Sequence, residues 1–183
     1  MAYNVPTYDT TRFSFGPGVL YMGAPGTTPL IEVGAVKGNP EFSIERTLLE
    51  VFQGSPKSKV AQYATKEVAI LKVSGIEWNF DNLAYALGAG VTGINGTVET
   101  FEFGGDMSVT NRALRFVHRT PDGSTIDLHL FKAEGSGKIA VAFNEEDTHE
   151  FPFEFHTLEG TTDFAGSALA ANKKHFKIIR TKA

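Results

Sequence analysis

Apolar and polar residues alternate most sharply along the segment that begins at Glu41. Phe42 and Ile44 fall on one side of the predicted strand. The other side carries polar and acidic side chains, namely Glu41, Ser43, Glu45 and Thr47. A period of two residues is the signature of a half-buried β-strand. Residues 66–78, rich in Val, Ile and Leu, predict the strand that returns beside it.

The segment that joins these two strands, residues 48–65, is predicted to be a projecting loop. From Phe52 onward it carries Gly, Pro and Ser with scattered lysines, and it shows little apolar order. A hairpin far longer than its own fold needs usually reaches something outside that fold. The segment therefore favours assembly with another molecule over chemistry in a pocket.

One short helix is predicted over residues 79–88. Asn79 can cap its first turn, and Asp81 complements the positive end of the helix dipole. The apolar residues follow the helical spacing i, i+3, i+4, i+7, and they are Phe80, Leu83, Ala84 and Leu87. Gly88 is a natural stop, so the chain is expected to carry one helix that covers a sheet.

The remaining chain predicts short strands and turns. Residues 1–11 form an extended N-terminal arm, and residues 88–96 form a Gly-rich link after the helix. Strands are predicted at residues 97–103, 108–119, 124–132, 138–143 and 150–158. Hairpin turns at residues 121–123 and 134–137 make the second half a meander. The C-terminal segment, residues 160–183, begins with small polar residues and ends in a basic strand.

Composition bounds both the fold and the function. A chain of 183 residues with 42% hydrophobic content can bury the core of one domain. Its 15 Phe, 19 Gly and 8 Pro suit short strands with aromatic inward faces, so we expect a mainly β protein. A net charge of −4 lacks the cationic excess that grips nucleic acid through its phosphates.

Several kinds of site are absent from the sequence. The lack of cysteine excludes disulfides, thiolate metal sites and a cysteine nucleophile, and it favours a reducing compartment. No apolar run approaches the roughly 18 residues of a membrane helix, so we expect a soluble protein with no membrane partner. The five histidines lack the spacings of a metal site, and no cofactor is expected.

Two other classes of function stay open from the sequence. Carboxylate pairs such as Glu41 with Glu45, or Glu150 with Glu154, lie on predicted strands whose polar faces could converge in a hydrolase. Alternatively, a β-sandwich module could bind a carbohydrate or another small ligand through aromatic side chains. The candidates for that role are Trp78, Tyr63 and Tyr85.

Charge is segregated along the last part of the chain. Between Lys138 and Lys173 there are seven acidic residues and no Lys or Arg, whereas residues 173–182 carry five basic residues and no acid. Opposite patches on one chain suit head-to-tail contact between identical copies. The candidates for this inter-subunit contact are Glu145, Glu146, Asp147, Lys173, Lys174 and Lys177.

The order of elements, concentrated in residues 41–88, resembles a known family. An acidic strand, an arm, a β-rich return strand and a helix of the form EWNFDNLAYALG look like the tail tube (major tail) proteins of tailed bacteriophages. The resemblance implies a β-sandwich or partial-barrel protomer with one flanking helix. Six protomers would form a ring with a continuous inter-subunit β-barrel, and stacked rings would form the conduit for DNA ejection. Secretion-system tube proteins share this fold and are the nearest rival assembly.

The same resemblance implies a non-enzymatic virion protein of the tail, assembled in the host cytoplasm. Its partners would be identical copies and the tape-measure, tail terminator and tail tip proteins, while DNA passes through without specific binding. A polar and acidic inner wall would repel phosphates and let DNA slide. The lumen-facing candidates are Glu41, Ser43, Glu45, Thr47, Glu154 and His156. The inter-ring stacking candidates are Leu48, Leu49, Val51, Phe52, Gly54, Pro56, Lys57, Lys59 and Tyr63.

Overall fold

The fold is taken from a computed structural model that describes residues 18–77, 79–105, 107–141 and 149–183. The predicted N-terminal arm, Trp78 and the acidic run at residues 145–147 lie outside these ranges. The described residues form one helix, α1 (Phe80–Leu87), and ten strands. The strands are β1 (Gly18–Gly23), β2 (Ile31–Glu32), β3 (Val36–Gln53), β4 (Ser58–Gly75), β5 (Val91–Asn95), β6 (Val98–Glu102), β7 (Arg112–Arg119), β8 (Thr125–Gly135), β9 (Phe151–Thr157) and β10 (Phe176–Thr181).

A large antiparallel sheet has the strand order β2-β1-β7-β8-β9-β4-β3, and β10 also pairs with β8. The two partners share one edge of β8, because residues 125–130 pair with β10 and residues 133–135 pair with β9. β5 and β6 form a separate hairpin. The mainly β fold with one short helix is confirmed, but β2 and β3 end the large sheet, so the described residues of one chain close no barrel.

The core is built from alternate residues of these strands. In β9, Phe151, Phe153 and Phe155 are buried, while the residues between them are exposed or half-buried. Phe155 lies opposite Leu71 and Phe153 opposite Val73, so the aromatic stripe of β9 continues onto β4. Residues of β1, β7 and β8 complete the core, chiefly Leu20, Met22, Leu114, Leu128 and Leu130. The phenylalanines of β9 are therefore part of the core, as the Phe-rich composition predicted.

The helix lies where it was predicted, and its caps explain why. The Asn79 side chain accepts hydrogen bonds from the backbone nitrogens of Asp81 and Asn82, at 2.9 and 3.2 Å. Gly88 ends the helix with a φ of 64°, in the left-handed region that favours glycine. Ala86 packs against Gly135 at the end of β8, where the Cβ of any other residue would collide with the Ala86 carbonyl oxygen. The helix is thereby fixed to one end of the sheet.

Four predictions in the second half of the chain were wrong. The Gly-rich link after the helix contains β5, and β7 begins at Arg112 rather than at residue 108. Residues 138–141 form no strand, and the predicted turn at 134–137 closes no hairpin. The reason is competition for an edge, because β9 already pairs with the end of β8. Ile139 and Val141 pack against the core as side chains of an irregular segment instead.

The predicted long projecting hairpin arm is present, but the prediction that residues 48–65 form a loop was wrong. β3 and β4 continue through it, and only residues 54–57 form the turn. Leu49 lies opposite Tyr63, and Val51 lies opposite Ala61. Two register shifts leave Thr65 and Val60 as extra residues of β4. Such bulges break the period of two, which hid the strand from the sequence pattern.

Candidate functional site

A two-stranded hairpin extends beyond the rest of the sheet. β9 pairs with β4 only from residue 70 onward, so residues 44–69, here called the arm, have β-pairing only between β3 and β4. Residues 44–53 of β3 and 58–69 of β4 project, which spans roughly 30 Å at about 3.3 Å per residue. Among the described residues, neither outer edge of the arm has a strand partner.

Both faces of the arm carry exposed apolar side chains. Ile44, Leu48 and Phe52 recur every fourth residue and therefore share one face, and Phe52 is 52% exposed. Leu49, Val51 and Tyr63 lie on the other face, where Tyr63 is 61% exposed and directly opposite Leu49. A hairpin alone is marginally stable in water, and single exposed apolar residues are ordinary whereas a cluster indicates an interaction site. The arm thus has exposed apolar side chains on both of its faces and no core between them.

All nine stacking candidates lie on the arm. Four are on β3, three are in the turn and two are on β4. Their positions along the chain agree with the predicted segment, but that segment is a paired hairpin rather than a loop. Lys59 forms an ion pair with Glu50 across the arm and donates a hydrogen bond to Gln62 at 2.7 Å. Sequence reasoning missed Ile44 and Val60, which are 59% and 55% exposed. The sequence pattern placed Ile44 on the apolar side of β3, together with Phe42. Ile44 does lie on that side, but it is exposed because the core does not extend to it.

The six lumen-facing candidates lie on one face of β3, β4 and β9. Glu41 lies opposite Lys72, which in turn lies opposite Glu154. In the next rung on that face, Ser43 lies opposite Ile70, which lies opposite His156. Glu45 and Thr47 continue the same face along β3. This polar face is the side of the three strands opposite to Leu71, Val73 and the phenylalanines of β9.

The polar face is not purely acidic. Lys72 sits between two carboxylates, with its Nζ 3.9 Å from Glu154, and Lys66 lies opposite Thr47. The face therefore carries three carboxylates, of Glu41, Glu45 and Glu154, against three ammonium groups, because Lys37 of β3 lies opposite Ser74 on the same side. His156 Nε2 lies 2.9 Å from Glu154 Oε1. The formal charges on this face are therefore balanced.

The charged C-terminal region is partly engaged within the chain. Lys174 Nζ donates to Glu159 at 2.8 Å, and this hydrogen bond holds the pKa of Glu159 below its ordinary value. Lys173 and Lys177 are exposed. Since Glu145, Glu146 and Asp147 lie outside the described residues, their contact with these lysines stays a prediction.

The geometry offers little to the two other classes of function. Glu150 pairs with Lys37 at 3.1 Å and Glu154 with His156, so both carboxylates of that candidate pair already have a partner. Tyr63 is on the arm, whereas the Tyr85 ring packs beneath the Arg112 guanidinium at 4.2 Å, beyond the other end of β4. Within the described ranges, no group of three acidic or histidine side chains could hold a metal. No described helix has the length and apolar character to cross a bilayer.

The chain was also compared with known proteins. No protein-family model matches it, and no curated protein gives a significant match. Its function is therefore argued from the arm, the polar face and the open edges of the sheet.

Proposed function

We propose that this chain is a structural subunit that assembles with copies of itself into a tube, as the tail tube proteins of tailed bacteriophages do. The single observation that carries the proposal is the arm, a hairpin with exposed apolar side chains on both faces and with unpaired edges. Such a surface has a large area to bury, and no strand of the described residues covers its edges. Identical copies in hexameric rings provide that partner without any second gene product.

The open edges of the sheet lead to the same assembly. β3 is an 18-residue strand whose outer edge has no strand partner among the described residues. A long free edge promotes uncontrolled pairing, and natural proteins cover it or close it into a barrel. Joining β3 to a strand of the next copy would pair this edge and, repeated around a ring, would leave none free. The continuous inter-subunit barrel is thus part of the proposal.

The polar face would then line the conduit. It is on the side of β3, β4 and β9 away from the core, and it has no excess of ammonium groups over carboxylates. Phosphates gain nothing from binding such a wall, so DNA could slide along it. In this function the protein acts without catalysis or cofactor, resides in the virion tail, and meets the tape-measure, terminator and tip proteins at the ends of the tube.

The proposal is tested by replacing the outer arm. Thr47 and Lys66 lie directly opposite each other, so residues 48–65 can be replaced by an Asn-Gly turn that closes the shortened hairpin. We expect purified full-length protein to form rings or tubes in electron micrographs and to sediment as large particles. The shortened variant should keep its cooperative thermal unfolding but remain a monomer. A full-length chain that stays monomeric at every protein and salt concentration would refute the proposal.

A further inference from the structure

A second exposed apolar surface surrounds the helix. The helix lobe, residues 79–105 and 107–110, comprises α1, the β5-β6 hairpin and the segment that follows. Six large apolar side chains of this lobe are exposed, namely Val91, Ile94, Val98, Phe103, Met107 and Val109. Ile94, at the outer end of β5, is 79% exposed. This surface is as unusual for an isolated chain as the arm itself.

The helix lobe is acidic. The sequence contains no Lys or Arg between Lys72 and Arg112, but that interval has five acidic residues. A groove of about 490 Å³ lies between the start of α1 and the β5-β6 hairpin, and its lining includes Asp81, Glu99 and Ile94. The groove thus offers carboxylates beside an exposed apolar side chain.

The tip of the arm has the opposite charge. Residues 51–66 contain three lysines and no acidic residue. Lys59 is occupied by Glu50, whereas Lys57, in the turn, makes no ion pair with any described residue. Phe52 and Val60 are exposed beside the turn. An apolar tip with an ammonium group matches an apolar groove with carboxylates.

The two surfaces lie at opposite ends of one strand. β4 runs from residue 58 at the tip of the arm to residue 75, and α1 begins at residue 80. A strand of this length spans roughly 55 Å at about 3.3 Å per residue, so an arm cannot reach the lobe of its own chain. It can reach the lobe of another copy that is displaced along the strand direction. Such a head-to-tail contact repeats without limit unless it closes into a ring.

We propose that the tip of the arm of one copy docks on the helix lobe of the next copy, with Lys57 near the carboxylates of the groove. The inference rests on the proposed function, because it assigns the surface that receives the arm during self-assembly. It commits the assembly to one polarity, with every arm pointing from one copy towards the helix end of its neighbour.

Cross-linking tests this contact directly, since the chain has no cysteine of its own. A tagged Ser55→Cys chain is mixed with an untagged Ile94→Cys chain, assembled and oxidised. A disulfide requires the two Cα atoms to come within about 7 Å. We expect a reducible product with the summed mass of the two chains, and none from either variant alone. A chain with both substitutions should give a ladder of covalent oligomers.

A matched control uses Lys182→Cys, at the exposed C-terminus, in place of Ile94→Cys. If the chains assemble but Ser55→Cys gives no product with Ile94→Cys, or gives an equal yield with Lys182→Cys, the docking is overturned while the proposed function stands. If unsubstituted protein never assembles, the proposed function falls and this inference falls with it. The two failures are therefore distinguishable.

Charge reversal provides a second readout. Lys57→Glu and Glu99→Lys should each raise the critical concentration for assembly about two- to fivefold at low salt, as expected for one exposed ion pair. The doubly reversed chain should return to the original value. Arg119→Glu makes the same charge change at an exposed position outside both surfaces and should have a smaller effect. A double variant that assembles no better than the worse single variant contradicts the pairing.

Discussion

Removing apolar side chains from the arm should weaken assembly without unfolding the subunit. The variant Leu49→Thr/Phe52→Thr/Tyr63→Thr changes three residues that are 55%, 52% and 61% exposed. Burying a whole side chain of this kind contributes about 1.5–3 kcal/mol, so covering the exposed half contributes about 1 kcal/mol each. Three such losses amount to about 3–4 kcal/mol. The association constant should therefore fall about 10² to 10³-fold.

The folded subunit should be nearly unaffected, because threonine keeps the β-propensity of these positions and no core contact is lost. Sedimentation velocity over a range of protein concentrations measures the critical concentration, and thermal unfolding checks the fold. Leu30→Thr removes an apolar side chain that is 77% exposed outside the arm and serves as the control. If the triple variant assembles at the same concentration as the unsubstituted chain, the apolar surface of the arm is not an assembly interface.

Three further predictions concern the core, the sheet and the polar face. Phe155→Ala, at a position 1% exposed, should lower the free energy of unfolding by about 3–5 kcal/mol in urea titrations. Burial acts to raise the pKa of Asp127, but the hydrogen bonds and charge interactions of Arg115 and His129 together outweigh burial and lower that pKa. This contribution to stability is therefore present above the ordinary aspartate pKa of about 3.9 and is lost as pH falls through the folded-state pKa. The thermal midpoint of Asp127→Asn should accordingly fall less on acidification than that of the unsubstituted chain, and equal slopes would contradict this account. Reversing Glu41 and Glu45 to Lys should make assembled tubes retain DNA at low salt in a co-sedimentation assay, and tubes that still release DNA would remove both residues from the wall.

The helix and the aromatic core could be predicted because their signals are local. Asn79 and Gly88 specify the two ends of α1 without help from distant residues. The alternation of Phe along β9 indicates which of its faces is buried. The arm could not be predicted as strand, because the bulges at Thr65 and Val60 break the period on which the prediction depends. Residues 138–141 are irregular because β9 occupies the edge of β8. No local sequence pattern indicates which strand will pair with that edge.

The charge of the polar face also could not be predicted from the pattern of a single strand. Alternation along one strand placed Glu41, Ser43, Glu45 and Thr47 on a common side, and the register of β3 with β4 agrees with that placement. The charge of the face depends equally on Lys66 and Lys72, which come from the neighbouring strand. Which residue of β4 lies opposite Glu41 depends on an irregular stretch after Lys37 and on the bulges in the arm. The sequence therefore predicted an acidic face where the strand pairing produces a face of mixed charge.

The two unsatisfied features of this chain require contacts in different directions, which is why we propose a tube rather than a dimer. The free edge of β3 can be paired only by a neighbour beside it in the plane of the sheet. The arm projects past the rest of the sheet, so in the proposed assembly its apolar faces are covered by a copy displaced along the strand direction. A single two-fold partner would not occupy both positions, so the proposed assembly gives each copy a lateral and an axial neighbour. Closure of the lateral contact into a ring, with the axial contact left open to repeat, gives a tube of stacked rings.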